Sequence, residues 1–576
     1  MSERAIMYGL VHETRPDKDG VEYAEIPFAT PGGTDEVFAL PTQAIPIVFL
    51  PGIMGSPLIT TVEGNRRMFL GQGHWAWRPD YSWTWMLTGF WRLGAAERRQ
   101  LLDPQAVRPL EPEDADMDLL EDEDIVYGLS ARDAALRGWG STMVSSYAPV
   151  MSYLESNLRR IMQRGKISAS TEAARPAAPA RWGVLHGYER LTDEDIAQAA
   201  EWRFPVYAVG YNWLASNKEG AEYVKSRVDA IRQDCRDRLE LQCDKVIFVT
   251  HSMGGLIARS YAQSYPDDVL GIVHGVQPAV GAPAAYARVR TGWEAPGFRL
   301  SRPKTSSEGL VSSWILGRDG NEVSAIFANA PGPLELLPNR QYGPNWLVIE
   351  SGEGQTKTAL FSVPAQDPYA EIYGRHDVWW RLMNPRAINP SDPTQAGLMS
   401  GWEDYLAQLS KARAFHDELG AYYHPSTYAH CGSDSHQKAW RRVTWSLQPL
   451  REINTGVLSS SPQAQGIREA RLMMDGMKGH CEILDVSTAG DVMVNRNGQG
   501  VIRRSVGSSY RAWMGGPDGP GDATVPEHSG VAPRSYASFF AQMQGFDHQG
   551  SYKDPQVQEV TLYSVLKIAA KAQSLQ

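Results

Sequence analysis

An α/β fold with a mainly parallel central sheet, interrupted by a large and partly helical insertion, is what this sequence predicts. Three observations carry that expectation. From residue 45 to residue 283, apolar strand-like runs alternate with helical patterns, which indicates a parallel sheet covered on both faces. One strand-to-helix junction, Thr250-His251-Ser252-Met253-Gly254-Gly255, is a sharp turn with a serine at its tip. From residue 284 to about 510 the alternation breaks, in a stretch rich in Pro, Gly, Trp and Tyr.

Residues 1–44 read as an irregular leader with a short strand near 37–40. Residues 45–50 are a buried strand, followed by the loop Pro51, Gly52, Ile53, Met54, Gly55, Ser56. A glycine-bearing loop directly after a strand lets backbone amides approach a ligand closely. Trp75, Trp77, Trp83, Trp85 and Trp91 then crowd one segment, out of 18 tryptophans in the chain. That cluster suits either an aromatic packing layer or a lid that is apolar on one side and wet on the other; a lid-like insertion is expected over about 66–135. The acidic run at 111–124 has no EF-hand spacing and reads as a solvated loop.

Apolar residues at Met143, Tyr147, Val150, Met151, Leu154, Leu158 and Ile161 recur at three and four, the pattern of an amphipathic helix. Pro149 places the start of its regular part nearby, since proline is at home in a first turn. The Ala/Pro-rich residues 171–181 read as a surface excursion, 204–210 as a strand and 216–241 as a helix. Residues 246–250 are apolar and β-branched, hence a buried strand, and a helix runs on from Leu256. After the strand at 270–276 comes the insertion, with helical patches near 333–337, 402–419 and 463–475, expected to roof the site as a cap. The expected division is a leader at 1–44, a first core part at 45–283, a cap at 284–510 and a second core part at 511–576.

Composition narrows the function. Hydrophobic content of 42% and a mean hydropathy of −0.36 suit a soluble globular protein, and no apolar run reaches bilayer length. The four cysteines, Cys235, Cys243, Cys431 and Cys481, are too sparse for a disulfide framework. A net charge of −10 argues against nucleic acid as a partner and against electrostatic docking on anionic lipid, so membrane contact would be apolar, through a lid. The first 20 residues carry both signs of charge and no apolar core, unlike a signal or transit peptide. The expectation is a protein made in the cytoplasm that leaves, if at all, by a route that reads no cleavable signal.

A serine at the tip of a strand–turn–helix is the arrangement of a hydrolase nucleophile, exposed above the sheet beside helix amides that stabilise negative charge. Thr250 departs from the pattern, standing where G-x-S-x-G has its first glycine. Serine needs a histidine base and the base needs an orienting carboxylate, in the chain order Ser, acid, His for this fold. Asp522 follows a glycine and precedes a rigid Thr524-Val525 exit, which makes it the acid candidate; Asp518, between two prolines, is the runner-up. Of the late histidines, His528 stands too close to Asp522 for a core strand to intervene. His548 follows 536–546, which can hold that strand, and precedes a helical segment at 557–572, so it is the candidate base. His424, His430, Cys431 and His436 match no standard zinc spacing and read as a polar loop. The chemistry requires no metal or cofactor.

Taken together, the Pro51-to-Ser56 loop, the Thr250-to-Gly255 elbow and Gly521-Asp522-Ala523-Thr524-Val525-Pro526 resemble the lecithin:cholesterol acyltransferase-like lipases and the GPI-inositol-deacylase-like hydrolases. The strand end from Phe204 to Trp213 resembles that family's F-x-Y-D-W-R, with Asn212 for aspartate and Leu214 for arginine; Ala523 replaces a glycine of the family's acid motif. The resemblance covers roughly 45–283 and 515–572 and implies an α/β-hydrolase with Ser252, Asp522 and His548 as triad and the backbone amides of Ile53 and Met253 as oxyanion donors, acting on a phospholipid or related lipid ester. A lipid acyltransferase, a soluble carboxylesterase and an inactive hydrolase fold used for binding are the competing readings. The long chain also resembles type VI secretion lipase effectors. That resemblance implies delivery by the secretion machinery into a target-cell periplasm and neutralisation by a cognate immunity protein.

Overall fold

The computed structural model describes residues 41–62, 75–80, 93–114, 129–159, 161–163, 166–175, 179–292, 317–352, 357–450, 462–496 and 499–573, and four short strands within the first 38 residues. Trp83, Trp85, Trp91 and most of the acidic run lie outside the described residues. Seven strands form the central sheet: β1 (Ile47–Leu50), β2 (Val184–His186), β3 (Val206–Ala208), β4 (Val246–His251), β5 (Val269–Gly275), β6 (Thr427–Gly432) and β7 (Phe539–Met543). Their order is β2-β7-β6-β5-β4-β1-β3. All neighbours are parallel except the edge strand β2, which runs antiparallel to β7.

The central strands read as continuous apolar runs because both faces are covered. Successive residues of β1 and β4 serve opposite faces, as the two-residue period of a strand requires. Val48, Leu50 and Phe248 enter one apolar layer, with Val224 and Ile231 of α2 (Asn217–Asp237) and Ile257 of α3 (Gly254–Ser264). Ile47, Phe49, Ile247 and Val249 enter the other, with α1 (Val144–Leu158) and the C-terminal helix (Pro555–Ala569). The register pairs Thr250 with Leu50 on one side and with His274 on the other. The carboxyl ends of β1, β4 and β5 are therefore level, and their three following loops meet at one edge. This is an α/β-hydrolase core carrying a cap.

Four expectations need correction. Residues 284–510 are not one continuous insertion, because β6 lies among them and pairs with both β5 and β7. The same strand holds His430 and Cys431, both buried, where a polar loop is expected from their composition. Residues 463–475 are helical only at Ala464–Arg468; Arg471–Asp475 is a strand that pairs antiparallel with His480–Asp485. It forms the edge of a second, six-stranded sheet in the cap, whose interior holds Trp445, Cys481 and Tyr510. Such strands are half polar, as in Val443-Thr444-Trp445-Ser446-Leu447, and the pattern is weak until a partner strand is known. Finally, α1 starts at Val144, so Pro149 lies inside it. The carbonyl that proline leaves without a partner is that of Ser145, which is exposed to water.

The cap is anchored to the core through a buried carboxylate. Glu335 follows the short helix Pro331–Leu334 and accepts hydrogen bonds from Ser216 Oγ (2.6 Å), Asn217 N (2.8 Å) and Asn217 Nδ2 (2.7 Å) at the start of α2. Burial raises its pKa from 4.5 to about 8. The folded protein then holds a proton that the unfolded chain releases above its lower pKa, so this group's contribution to stability falls as pH rises from about 4.5 to about 8. Glu335→Gln cannot lose that proton. Denaturant midpoints measured across this range should show the variant gaining on the parent as pH rises; parallel curves would refute the assignment.

Candidate active site

The site is made by four loops at the carboxyl edge of the sheet. At the end of β4 the chain turns so sharply that Ser252 adopts a φ of 54°. A left-handed serine costs about 1–2 kcal/mol, and the surroundings hold it there. The Ser252 amide donates to Gly275 O (2.9 Å) at the end of β5, and its carbonyl accepts from Gly255 N (3.0 Å). A Cβ at position 254 would stand 2.5 Å from Leu50 O and 2.6 Å from Pro51 O, so only glycine lets α3 start this close to β1. Thr250 causes no distortion: it is the last but one residue of β4, in regular register there, with its hydroxyl 3.2 Å from His274 Nδ1.

Asp522, from the segment that precedes β7, and His548, from the loop that follows it, both reach Ser252 at the carboxyl edge of the sheet. Asp522 lies beside the end of β6, where a Cβ on Gly432 would be 2.7 Å from the Asp522 Cβ. One carboxylate oxygen accepts from the amides of Thr524 (3.0 Å) and Val525 (2.7 Å); the other is 2.8 Å from His548 Nδ1. The His548 amide also donates to Asp522 O at 2.7 Å, so base and acid are tied by backbone as well as side chain. A carboxylate can only accept, which puts the imidazole proton on Nδ1 and leaves Nε2 bare toward Ser252 Oγ, 2.9 Å away. Asp522 is 1% exposed and Ser252 4%, so this relay works in a poorly hydrated environment.

The other late candidates are elsewhere. His528 Nε2 donates to Tyr342 O, and Asp518 accepts from the amides of Arg441 and Arg442. Asn212, in place of the family's aspartate, holds its own turn by accepting from Leu214 N (3.2 Å) and donating to Pro104 O (2.8 Å). Ala523 has a φ of 72°, a conformation glycine adopts freely, so this departure from the motif is a strained one. Among the described residues, no group of three or more His, Cys, Asp or Glu side chains is arranged to hold a metal ion.

Ser252 and His548 open into a cavity of about 200 Å³ whose walls include Gly52, Ile53, Ala285, Phe327, Pro333 and Leu336. Neither the Ile53 nor the Met253 amide donates to a backbone carbonyl among the described residues. Trp77 is buried at the cavity wall and donates to Met54 O (2.7 Å), holding the loop after β1. Arg288, on the helix Pro283–Thr291, brings a half-buried cation to the same cavity and donates to Thr524 Oγ1 at 3.3 Å. No periodic or motif signal in the sequence points to Arg288.

The chain is similar to a solved protein along nearly its whole length. A chain in the crystal structure of the Tle4-Tli4 complex superposes with a TM-score of 0.70 and 28% sequence identity, covering 92% of this chain and 100% of that chain. The match takes in the cap as well as the core, which extends the likeness beyond the motifs. Phospholipase PlaB from Legionella pneumophila aligns at 12% identity with a TM-score of 0.13, over 48% of this chain and 77% of that chain, a likeness too slight to bear on fold or chemistry. No family model matches the sequence, and no curated protein matches it.

If His548 is the base for Ser252, His548→Ala should lower the rate at which a fluorophosphonate labels Ser252 by about 10³-fold or more. His528→Ala should leave that rate within about twofold, because its ring bonds to Tyr342 and stands outside the relay. Labelling of His548→Ala at the parent rate would remove His548 from the role.

Proposed function

We propose that this protein is a serine ester hydrolase of the phospholipase class. The observation that carries the reading is the hydrogen-bonded series Ser252 Oγ, His548, Asp522, opening into a largely apolar cavity. Ser252 Oγ attacks the ester carbonyl as its proton passes to His548 Nε2. The tetrahedral oxyanion is received by the amides of Ile53 and Met253, a form of stabilisation worth about 3 kcal/mol per donor in comparable sites. The imidazolium, steadied by Asp522, gives its proton to the departing alkoxide. Water then enters, transfers a proton to His548 and releases the fatty acid from the acyl-enzyme.

A lipid ester is favoured over a small polar ester by the apolar wall. Among lipids, a phosphodiester is favoured by the Arg288 guanidinium beside that wall, since a cation in a poorly hydrated cleft suits a phosphate oxygen. Similarity to a chain solved in a two-component complex, together with the resemblance in overall form to type VI lipase effectors, supports an antibacterial role with a protein partner that neutralises it.

Two experiments test this. In a headgroup-resolved digest of mixed phospholipid vesicles, the parent protein should release fatty acid and lysolipid, and Ser252→Ala should release neither. No release by the folded parent would overturn the phospholipase reading. Directed to the periplasm of a bacterium lacking a neutralising partner, the parent should halt growth while cytoplasmic expression is tolerated. Equal toxicity in both compartments would contradict a periplasmic target.

A further inference from the structure

His251, immediately before the nucleophile, and Tyr147, on α1, are buried polar groups to which the proposed mechanism gives no task. Their hydrogen bonds form a directed series. His251 Nε2 lies 2.9 Å from His548 O, and a carbonyl can only accept, so Nε2 carries the proton. Burial, and next the nearby His548, hold the His251 pKa well below the ordinary 6.5, so the ring is neutral and its Nδ1 is bare. Nδ1 must then accept from Tyr147 OH at 3.1 Å. Burial lifts the tyrosine to about 12, so it keeps the proton it donates. With its hydrogen directed at His251, the Tyr147 oxygen accepts from Gly52 N at 3.3 Å.

The two glycines of the loop after β1 make room for this pair. A Cβ at Gly52 would be 2.7 Å from His251 Nδ1, and a Cβ at Gly55 would be 2.9 Å from Tyr147 OH. The His251 ring also packs against the rings of Tyr147 and His548, with centroids 5.3 and 4.8 Å apart. One end of the series thus fixes the residue that precedes Ile53, and the other fixes the backbone of His548.

We propose that Tyr147 and His251 are positioning residues that lock the oxyanion loop and the base loop to the nucleophile elbow. Resting on the ester-hydrolase reading above, the inference adds a coupling between two loops that approach Ser252 from different strands. The neutrality of His251 is part of the device. A charged ring beside His548 would oppose the imidazolium that forms each time Ser252 reacts. The device acts on the reacting geometry, and only its inner end, His251 with Gly52, reaches the cavity wall, so its loss should fall mainly on kcat.

The test compares Tyr147→Phe, His251→Gln and His251→Leu with the parent, using a soluble nitrophenyl ester and fluorophosphonate labelling of correctly folded monomer. A displacement of about 1 Å in a reacting group costs on the order of 100-fold, so Tyr147→Phe and His251→Leu should each lose about 10- to 100-fold in kcat, with KM within about twofold. His251→Gln places an amide donor near the former Nε2 and should recover a substantial part of the loss. Parent-like kcat and labelling in Tyr147→Phe, with only a lowered melting temperature, would reduce the pair to packing and overturn the proposal. Equal losses in His251→Gln and His251→Leu would likewise overturn it. If the parent itself neither hydrolyses the ester nor takes the label, the hydrolase reading fails instead, and that outcome is distinct from any difference among the variants.

Discussion

Everything at this site depends on the left-handed turn at Ser252. A serine at φ 54° sits outside the comfortable region for an L-residue, and it stays there because three strands over-determine it. β5 accepts its amide, β1 presses against Gly254, and β4 enters the turn in unbroken register. Other left-handed non-glycine residues occur in the neighbouring loops: Met54 after β1, Val276 after β5 and Ala523 beside Asp522. Strain of this kind is concentrated at one edge of the sheet, while the strands beneath it are regular.

The acid and the base are held in a different way. Asp522 and His548 stand on segments before and after β7 that meet at its carboxyl end, and each is held by backbone amides and carbonyls. This divides the labour between a strained elbow that aims Ser252 and well-bonded loops that keep the imidazole in one tautomer. The cap adds the third component. Its helices close an apolar cavity over Ser252, and Glu335 binds that closure to the start of α2, so cap placement and core integrity are linked through one buried carboxyl.

Much of this was legible in the residue order. The elbow could be read because a β-branched run, a serine and two glycines in succession have few other uses. Asp522 and His548 could be read because topology restricts acid and base to the loops around the last strand. Several things could not be read. β6 was hidden because His430, Cys431 and Gly432 look polar or small, and only their pairing with β5 and β7 shows them to be interior. The cap's second sheet was hidden because antiparallel strands with one polar face resemble loops until their partners are known. Arg288 carries no motif, and its relevance comes wholly from the cavity it faces.

The sequence alone determined the fold class, the strand–turn–helix around Ser252 and the order in which acid and base must follow, because these are consequences of local periodicity and of connectivity. The tertiary structure alone decided how closely His548 approaches Ser252 and what surrounds the pair. It bent Asp522, His548, Tyr147 and Gly52 onto one edge from positions far apart in the chain. It also settled the place of Thr250: the residue lies in β4 in register, and the turn's strain falls on Ser252, two residues later. The physical reason is that a hydrogen bond is decided by separations of a few tenths of an ångström, and only packing across strands sets distances that finely.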